Sequence, residues 1–254
     1  MDRLAFNAMA AINENQLIRQ QLSNDIANVS TVGFKQTYEA NIQPELAVGH
    51  GFDSRMQPRL VTSDRVNLEA GPLMVTGRDL DIALNHKTVL GVTGADGVLA
   101  FTRRGDLKVN SNGVLETGSG HIVQADGGGP ITVPQGFKIS FSATGTLYAF
   151  DPAQQGVPVQ QAIAQLMLRD ATNTNLIKRV DGLFAVDESP PGTNIANGTE
   201  PVSLTPQALE GSSVNAMAMM VKLIDHSRNF EHQVRIIKES KSNDESGASM
   251  MKIT

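Results

Sequence analysis

The feature that most constrains the fold is a pair of amphipathic segments at the two ends of the chain. In residues 2–29, apolar or small side chains recur at intervals of three, four and seven, the spacing of one helix face. Asp2 can cap this helix, and the run from Ser30 to Gly33 ends it. The predicted face consists of Leu4, Ala8, Ala11, Ile18, Leu22, Ile26 and Val29.

The second amphipathic segment covers residues 212–240 and shows heptad spacing. Ser212 or Ser213 can cap the helix at its start. The polar run from Ser242 to Gly247 is predicted to break or fray it. The predicted face consists of Ala216, Met220, Leu223, Ser227, Phe230, Val234 and Ile237.

The chain between these segments has a different pattern, with period-two alternation and turn dipeptides from about Leu73 to Leu204. Asp96-Gly97 and Asn112-Gly113 are strong hairpin signals, since Asn, Asp and Gly tolerate positive φ. This region is therefore predicted to be a mainly antiparallel β domain. Further strand candidates are Ile122–Gln124, Ile131–Val133, Lys138–Phe141, Thr146–Phe150, Ala162–Arg169 and Leu183–Val186.

These elements predict an α+β fold in which long N- and C-terminal helices pack as a coiled-coil-like pair and flank a central all-β domain. Residues 1–33 and 208–254 are expected to form a discontinuous helical domain. Residues 34–70 are expected to form an extended connector, and residues 71–207 the β-rich domain. A single stripe on an isolated helix is marginal in water. Periodicity alone leaves open whether the helices pack on each other, on other copies or on the β domain.

Composition points away from catalysis and nucleic acid binding. The 254 residues include no cysteine, which excludes disulfides, thiolate metal sites and a cysteine nucleophile. The net charge is -5 without a basic cluster, so no nucleic acid partner is expected. We predict no catalytic, cofactor or metal site, no secretory signal and no integral membrane segment. Asp79 and Asp81 are interpreted as exposed, and Arg103-Arg104 as a solvated strand end or a contact for an acidic partner.

One run of residues is recognisable as a family motif. Ser23-Asn24-Asp25-Ile26-Ala27-Asn28-Val29-Ser30-Thr31-Val32-Gly33-Phe34-Lys35 resembles the N-terminal signature of bacterial flagellar basal-body rod and hook proteins, although Asp25 stands where the family usually has Asn. Further similar segments follow in the family's order across most of the chain: residues 71–84, 101–107, 112–115, 207–215 and 228–231.

The resemblance implies a structural protein and not an enzyme: a rod subunit, most similar to the short proximal-rod members, in the periplasmic drive shaft that transmits torque to the hook. It implies assembly through the terminal helices with proximal and distal rod subunits. It also implies delivery by the flagellar type III export apparatus without a cleaved signal peptide. The alternatives are a distal-rod subunit or, in a different class, a secreted β-rich binding protein, adhesin or enzyme.

The subunit interface implied by this resemblance follows the two apolar stripes and the motif after the first helix. Gly33 is expected to allow a turn, Phe34 to anchor the connector, and Asn24 and Asn28 to satisfy backbone groups. The predicted interface residues are Leu4, Ile18, Leu22, Asn24, Ile26, Ala27, Asn28, Val29, Gly33, Phe34, Met220, Leu223, Phe230, Val234 and Ile237.

Overall fold

The computed structural model describes residues 2–37, 41–46, 56–61, 65–152, 160–196, 198 and 200–251. For residues 2–6, 14, 41–46 and 56–61 the description covers the backbone alone. The chain divides into two compact units. The first unit comprises Met1–Ala27, Glu39–Ser63 and Asn215–Thr254, and the second comprises Asn28–Tyr38 and Asp64–Val214.

The first unit contains both long helices and a hairpin. Helix α1 runs over Asp2–Ala27 and helix α2 over Ala216–Met251. Strands β1 (Asn41–Leu46) and β2 (Met56–Val61) pair antiparallel. A hydrogen bond of 3.1 Å from Asn15 Nδ2 to Gln233 Oε1 joins the two helices. The helices predicted from periodicity are therefore present at both ends.

Helix α2 begins and ends at different residues from those predicted. Its cap is Asn215, whose side-chain oxygen accepts a 3.1 Å hydrogen bond from the Ala218 N–H. The prediction that the polar run after Lys241 breaks the helix is wrong. Lys241 and Glu245 form an i,i+4 ion pair of 3.7 Å, and the Ser246 hydroxyl bonds the Ser242 carbonyl, so both fit a continuing helix.

The prediction that α1 and α2 pack as a coiled-coil-like pair is also wrong. Among the described side chains of α2, Met219 and Ser240 are the buried ones. Met220 and Phe230, two positions of the predicted seam, are 51% and 40% exposed. At two of the predicted positions the less exposed residue is the preceding one: Met219 in place of Met220, and His226 in place of Ser227. Neighbouring residues of a helix lie about 100° apart around its axis. The least exposed row of α2 therefore includes the polar residues His226, Gln233 and Ser240 and is no continuous apolar seam.

The second unit is built from short antiparallel strands. Its largest sheet has the order β14-β15-β6-β5-β9-β8-β7, with β13 also pairing β5, and β10-β11-β12 form a separate sheet. Two-stranded sheets join β16 to β4 and β17 to β3. The strands are β3 Leu73–Val75, β4 Ile82–Leu84, β5 Thr88–Thr93, β6 Leu99–Thr102, β7 Leu107–Val109, β8 Leu115–Thr117, β9 Ile122–Val123, β10 Lys138–Phe141, β11 Thr146–Phe150, β12 Gln161–Gln165, β13 Leu168–Asp170, β14 Leu176–Lys178, β15 Phe184–Val186, β16 Leu204–Pro206 and β17 Ala208–Glu210.

Local turn signals predicted these hairpins well. Asp96-Gly97 lies between β5 and β6, and Asn112-Gly113 between β7 and β8. The candidate strand 131–133 forms only an isolated bridge, Val114 to Thr132, and the candidate 162–169 is divided between β12 and β13. The main core is a cluster of buried aliphatic side chains that includes Leu90, Leu107 and Leu147.

Candidate functional site

The predicted interface residues of α1 differ widely in exposure. Leu22 is buried with 7% of its surface exposed, and Ile18 and Ile26 are half-buried. Asn24 and Ala27 are exposed. The side chain of Leu4 lies outside the described residues. Leu22 is therefore already covered within this chain and is not available to a neighbouring molecule.

The exposed apolar side chains of α2 form a row that the sequence reasoning only partly included. Of the residues predicted on α2, Leu223, Val234 and Ile237 are half-buried. Met220 is the one residue of the predicted face that belongs to the exposed row. The spacing i, i+3, i+4, i+7 is itself visible in the sequence and was the signal that could have found the row. The row consists of Met217, Met220, Val221 and Ile224, exposed by 75%, 51%, 58% and 53%.

The motif that follows α1 is held inside the second unit. Gly33 has a φ of +67°, and its N–H donates a 2.8 Å hydrogen bond to the Glu210 carbonyl. A Cβ at this position would lie 2.5 Å from the Arg103 carbonyl oxygen, so both the conformation and the space require glycine. The ammonium of Lys178 lies 3.8 Å from the centroid of the Phe34 ring.

The other predicted residues of this motif lie beside Gly33. The Asn28 side-chain oxygen accepts a 3.1 Å hydrogen bond from the Thr31 hydroxyl, a contact between two side chains, and the Asn28 main-chain carbonyl accepts one of 3.1 Å from the Thr31 N–H. Val29 is half-buried. These contacts lie within the second unit, and they fix the chain directly after α1.

A buried charged cluster joins the two ends of the second unit. Glu210 Oε1 accepts hydrogen bonds from Lys35 Nζ at 2.7 Å and from the Gly71 N–H at 2.9 Å. Glu210 Oε2 accepts from Arg103 Nε at 2.7 Å. The side chains of Lys35 and Arg103 are fully buried, so one carboxylate compensates two cations in the interior.

Main-chain carbonyls accept further hydrogen bonds from the two cations. Lys35 also donates to the Glu69 carbonyl. Burial, together with the nearby charge of Arg103, lowers the pKa of Lys35 below its usual value. Burial likewise lowers the pKa of Arg103. Arg103 donates to the carbonyls of Leu84, His86 and Thr88 at 2.6, 2.6 and 3.0 Å.

The sequence analysis did not predict this cluster, and it misinterpreted one member of the cluster, Arg103, and a separate buried residue, Asp81. Arg103 is not at a solvated strand end, and its side chain cannot reach an acidic partner because it is fully buried. Asp81, interpreted as exposed, is 3% exposed and pairs with Arg78. No spacing rule could have found the cluster, because Lys35 and Glu210 are 175 positions apart in the chain.

The contacts of this site hold segments of the chain together. The cluster fastens the segment leading out of α1 to the segment leading into α2, and α2 presents an apolar row. Among the described residues, no three His, Asp or Glu side chains are grouped to hold a metal ion. Neither α1 nor α2, as far as they are described, is long and apolar enough to cross a membrane.

Comparison with known proteins identifies the family. The chain is 31% identical to the flagellar basal-body rod protein FlgF of Escherichia coli, covering 96% of each chain. It is 32% identical to FlgF of Salmonella typhimurium over the same shares. This chain belongs to the flagellar basal-body rod protein family. It is also 28% identical to the rod protein FlgG of Caulobacter vibrioides, covering 92% of this chain and 93% of that one.

Two family models match separate parts of this rod protein. The D1 domain of the flagellar hook protein FlgE/F/G matches residues 83–149, and the C-terminal region of the flagellar basal body rod FlgEFG protein matches residues 205–250. Arg103 lies in the first match, and Glu210 and the apolar row of α2 lie in the second. The ion pair of Arg103 with Glu210 therefore connects the two matched regions.

Proposed function

We propose that this chain is a structural subunit of the flagellar rod and that the apolar row of α2 is one of its assembly contacts. The observation that carries this proposal is the exposure of Met217, Met220, Val221 and Ile224 on one helix of a rod-family protein. Exposed apolar side chains that are contiguous mark interaction surfaces. Phe230, 40% exposed, lies further along the same helix.

Burial of this row supplies a driving force for assembly. Full burial of one large apolar side chain is worth about 1.5–3 kcal/mol, so a four-residue row contributes substantially when it is covered. Contacts between different surfaces of successive subunits build an open helical array when the rotation from one subunit to the next does not close a ring. An exposed row on a helix, repeated in each subunit, suits such an array.

The finer assignment within this proposal is the proximal rod, in the periplasm, between the motor and the hook. The partners would be other proximal-rod subunits and distal-rod subunits. The chain would be delivered by the flagellar type III export apparatus without a cleaved signal peptide and would act without catalysis. The likeness to two FlgF proteins over nearly the whole chain supports the proximal position.

A distal-rod role is the second candidate, because the FlgG protein of Caulobacter vibrioides is similar over 92% of this chain. The two candidates are separated by complementation. The proximal assignment predicts that the gene restores swimming to a strain that lacks FlgF and not to one that lacks FlgG. Restoration of only the second strain would contradict it.

The assembly contact is tested in the strain that the wild-type chain complements. Met220→Asp combined with Ile224→Asp is expected to abolish hook formation and swimming while the far-ultraviolet circular dichroism of the purified protein is unchanged. The matched control is Arg228→Asp combined with His232→Asp, at two exposed polar positions of the same helix and the same spacing. Normal swimming with the first double variant would overturn the proposed contact.

A further inference from the structure

The turn between β14 and β15 carries a fully exposed apolar side chain at its apex. The turn comprises residues 179–182, and the Gly182 N–H donates a 3.1 Å hydrogen bond to the Arg179 carbonyl. Val180 lies at a central position of this turn and is the most exposed of the large apolar side chains that the structure describes. A single exposed apolar residue needs no explanation by itself. The surroundings of Val180 give it a defined shape.

Charged side chains hold this turn in place. One nitrogen of Arg179 donates to Asp96 at 2.7 Å and to Asp181 at 2.8 Å. The other carboxylate oxygen of Asp181 accepts a 3.1 Å hydrogen bond from the Leu183 N–H. The turn is therefore preorganised, and little conformational entropy is lost when a partner surface covers Val180.

A groove of about 470 Å³ lies elsewhere in the second unit. Val109 and Phe137 are partly exposed in it, by 37% and 39%. Pockets of about 300–1,000 Å³ admit drug-sized ligands, so this groove has room for the apex of a turn. Its apolar lining consists of Val109, Val133, Phe137 and Ile139.

The charges of the groove do not select a strongly acidic or a strongly basic occupant. Arg78 is bound to Asp81, so its charge is compensated within the chain. Asp79 and Lys138 both line the groove, are exposed and have opposite signs. A segment of one charge would be attracted by one of these two residues and repelled by the other. Recognition in the groove therefore depends on its apolar lining and on its concave shape.

A concave apolar groove is complementary to a narrow convex apolar surface. The other exposed large apolar side chains that the structure describes lie in helices, in strands or after a turn, and Val180 is the one at a central turn position. The charge of Arg179 beside it is paired with carboxylates of the same chain. The turn can therefore enter a charge-balanced groove without leaving a cation unpaired.

The turn and the groove belong to opposite ends of one strand order. The largest sheet begins with β14 and β15, which the turn connects, and ends with β7, which contains Val109. A contact between two different surfaces leaves one turn and one groove unused in every dimer, so further copies can add to it.

We propose that the Val180 turn of one copy inserts into this groove of a second copy. The inference rests on the proposed rod function, for which it supplies a contact between successive subunits. One turn buries less surface than the about 1,200–2,000 Å² of a stable protein interface. The contact is therefore weak between free copies and is strengthened when other contacts hold the copies together.

The test traps the contact as a disulfide, which is possible because the chain contains no cysteine. One full-length chain carries Val180→Cys, and a second chain, marked by an affinity tag, carries Val109→Cys. A disulfide requires the two Cα atoms to lie about 4.4–6.8 Å apart. Under a mild oxidant, the mixed dimer is expected to form at least about tenfold faster than with a second chain that carries Lys87→Cys, at an exposed position outside the groove.

Two results of this trapping experiment would overturn the proposal. The first is an equal rate of mixed dimer formation with Val109→Cys and with Lys87→Cys. The second is a Val180→Cys homodimer that forms faster than the mixed dimer, because it would show that two turns meet each other.

A chain with both Val109→Cys and Val180→Cys tests the head-to-tail arrangement. It is expected to give disulfide-linked products longer than the dimer, because every added copy brings a new turn and a new groove. Each single variant has one thiol and can link only two chains. Products of the double variant that end at the monomer or the dimer contradict the arrangement.

The apolar lining is tested by Phe137→Ser in the Val109→Cys chain. This change is expected to slow formation of the mixed dimer at least about threefold, since it removes apolar surface that the turn would cover. The matched control is Val75→Ser, at an apolar residue that is 82% exposed and does not line the groove. Equal rates in these two variants contradict contact through the lining. Failure of any of these trapping tests leaves the rod assignment intact, since that assignment is measured by complementation and swimming.

Discussion

Lys35 Nζ lies 2.7 Å from Glu210 Oε1, and both side chains are buried although 175 positions separate them in the chain. Lys35 follows α1 by eight residues, and Glu210 precedes α2 by six. This ion pair therefore joins the first segment of the second unit, Asn28–Tyr38, to the end of its second segment, Asp64–Val214.

Glu210→Gln is expected to destabilise the second unit by about 3–5 kcal/mol, because it leaves the charges of Lys35 and Arg103 buried without a carboxylate. Urea unfolding followed by circular dichroism measures the change. Glu116→Gln is the control, since Glu116 pairs with the half-exposed Lys108 at the surface and should change the midpoint little. A shift for Glu210→Gln no larger than the control's would contradict the prediction.

Gly33→Ala is expected to be more destabilising than Gly77→Ala, and the comparison separates two costs. Both glycines have positive φ, +67° and +71°, which costs a residue with a Cβ about 1–2 kcal/mol. Only at Gly33 would the added Cβ meet backbone, 2.5 Å from the Arg103 carbonyl oxygen, whereas Gly77 faces open space. Overpacking adds about 1–3 kcal/mol at Gly33. Equal losses of thermal stability in the two variants would refute the backbone contact.

The stability of the first unit is expected to fall as the pH drops through about 6.5. Burial lowers the pKa of His226 below its usual value, although the nearby Asp225 opposes this shift. Between the folded pKa and the unfolded value of about 6.5, the unfolded chain binds more protons, so acidification favours unfolding. The Nδ1 atom of His226 is buried without a hydrogen-bond partner among the described residues, which is consistent with a neutral ring.

The measurement for His226 is the difference in urea midpoint between pH 7.5 and pH 5.5, followed by the helical circular dichroism signal. His226→Leu should reduce that difference, because the leucine does not titrate. His232→Leu, at an exposed histidine of the same helix, should leave the difference as in the unchanged protein. Identical pH dependence in both variants would show that His226 is not the titrating group.

Much of the local structure was predictable because its causes are local. The helical periods identified α1 and α2, and the Asp96-Gly97 and Asn112-Gly113 signals identified two hairpins. The family motif around Gly33 was readable as well. The outer end of α2 was not, because polar composition alone does not end a helix, and the exposed i,i+4 pair of Lys241 with Glu245 is compatible with its continuation.

What the sequence alone determined was the type and order of the elements and membership of the rod family. Tertiary structure decided which face of each helix is covered. Leu22 and Met220 both fit an apolar stripe, yet one is buried and the other is 51% exposed. It also decided that Lys35, Arg103 and Glu210 share one interior site. A hydrophobic period specifies a face but not its partner, and an ion pair between distant residues exists only once the chain between them has folded.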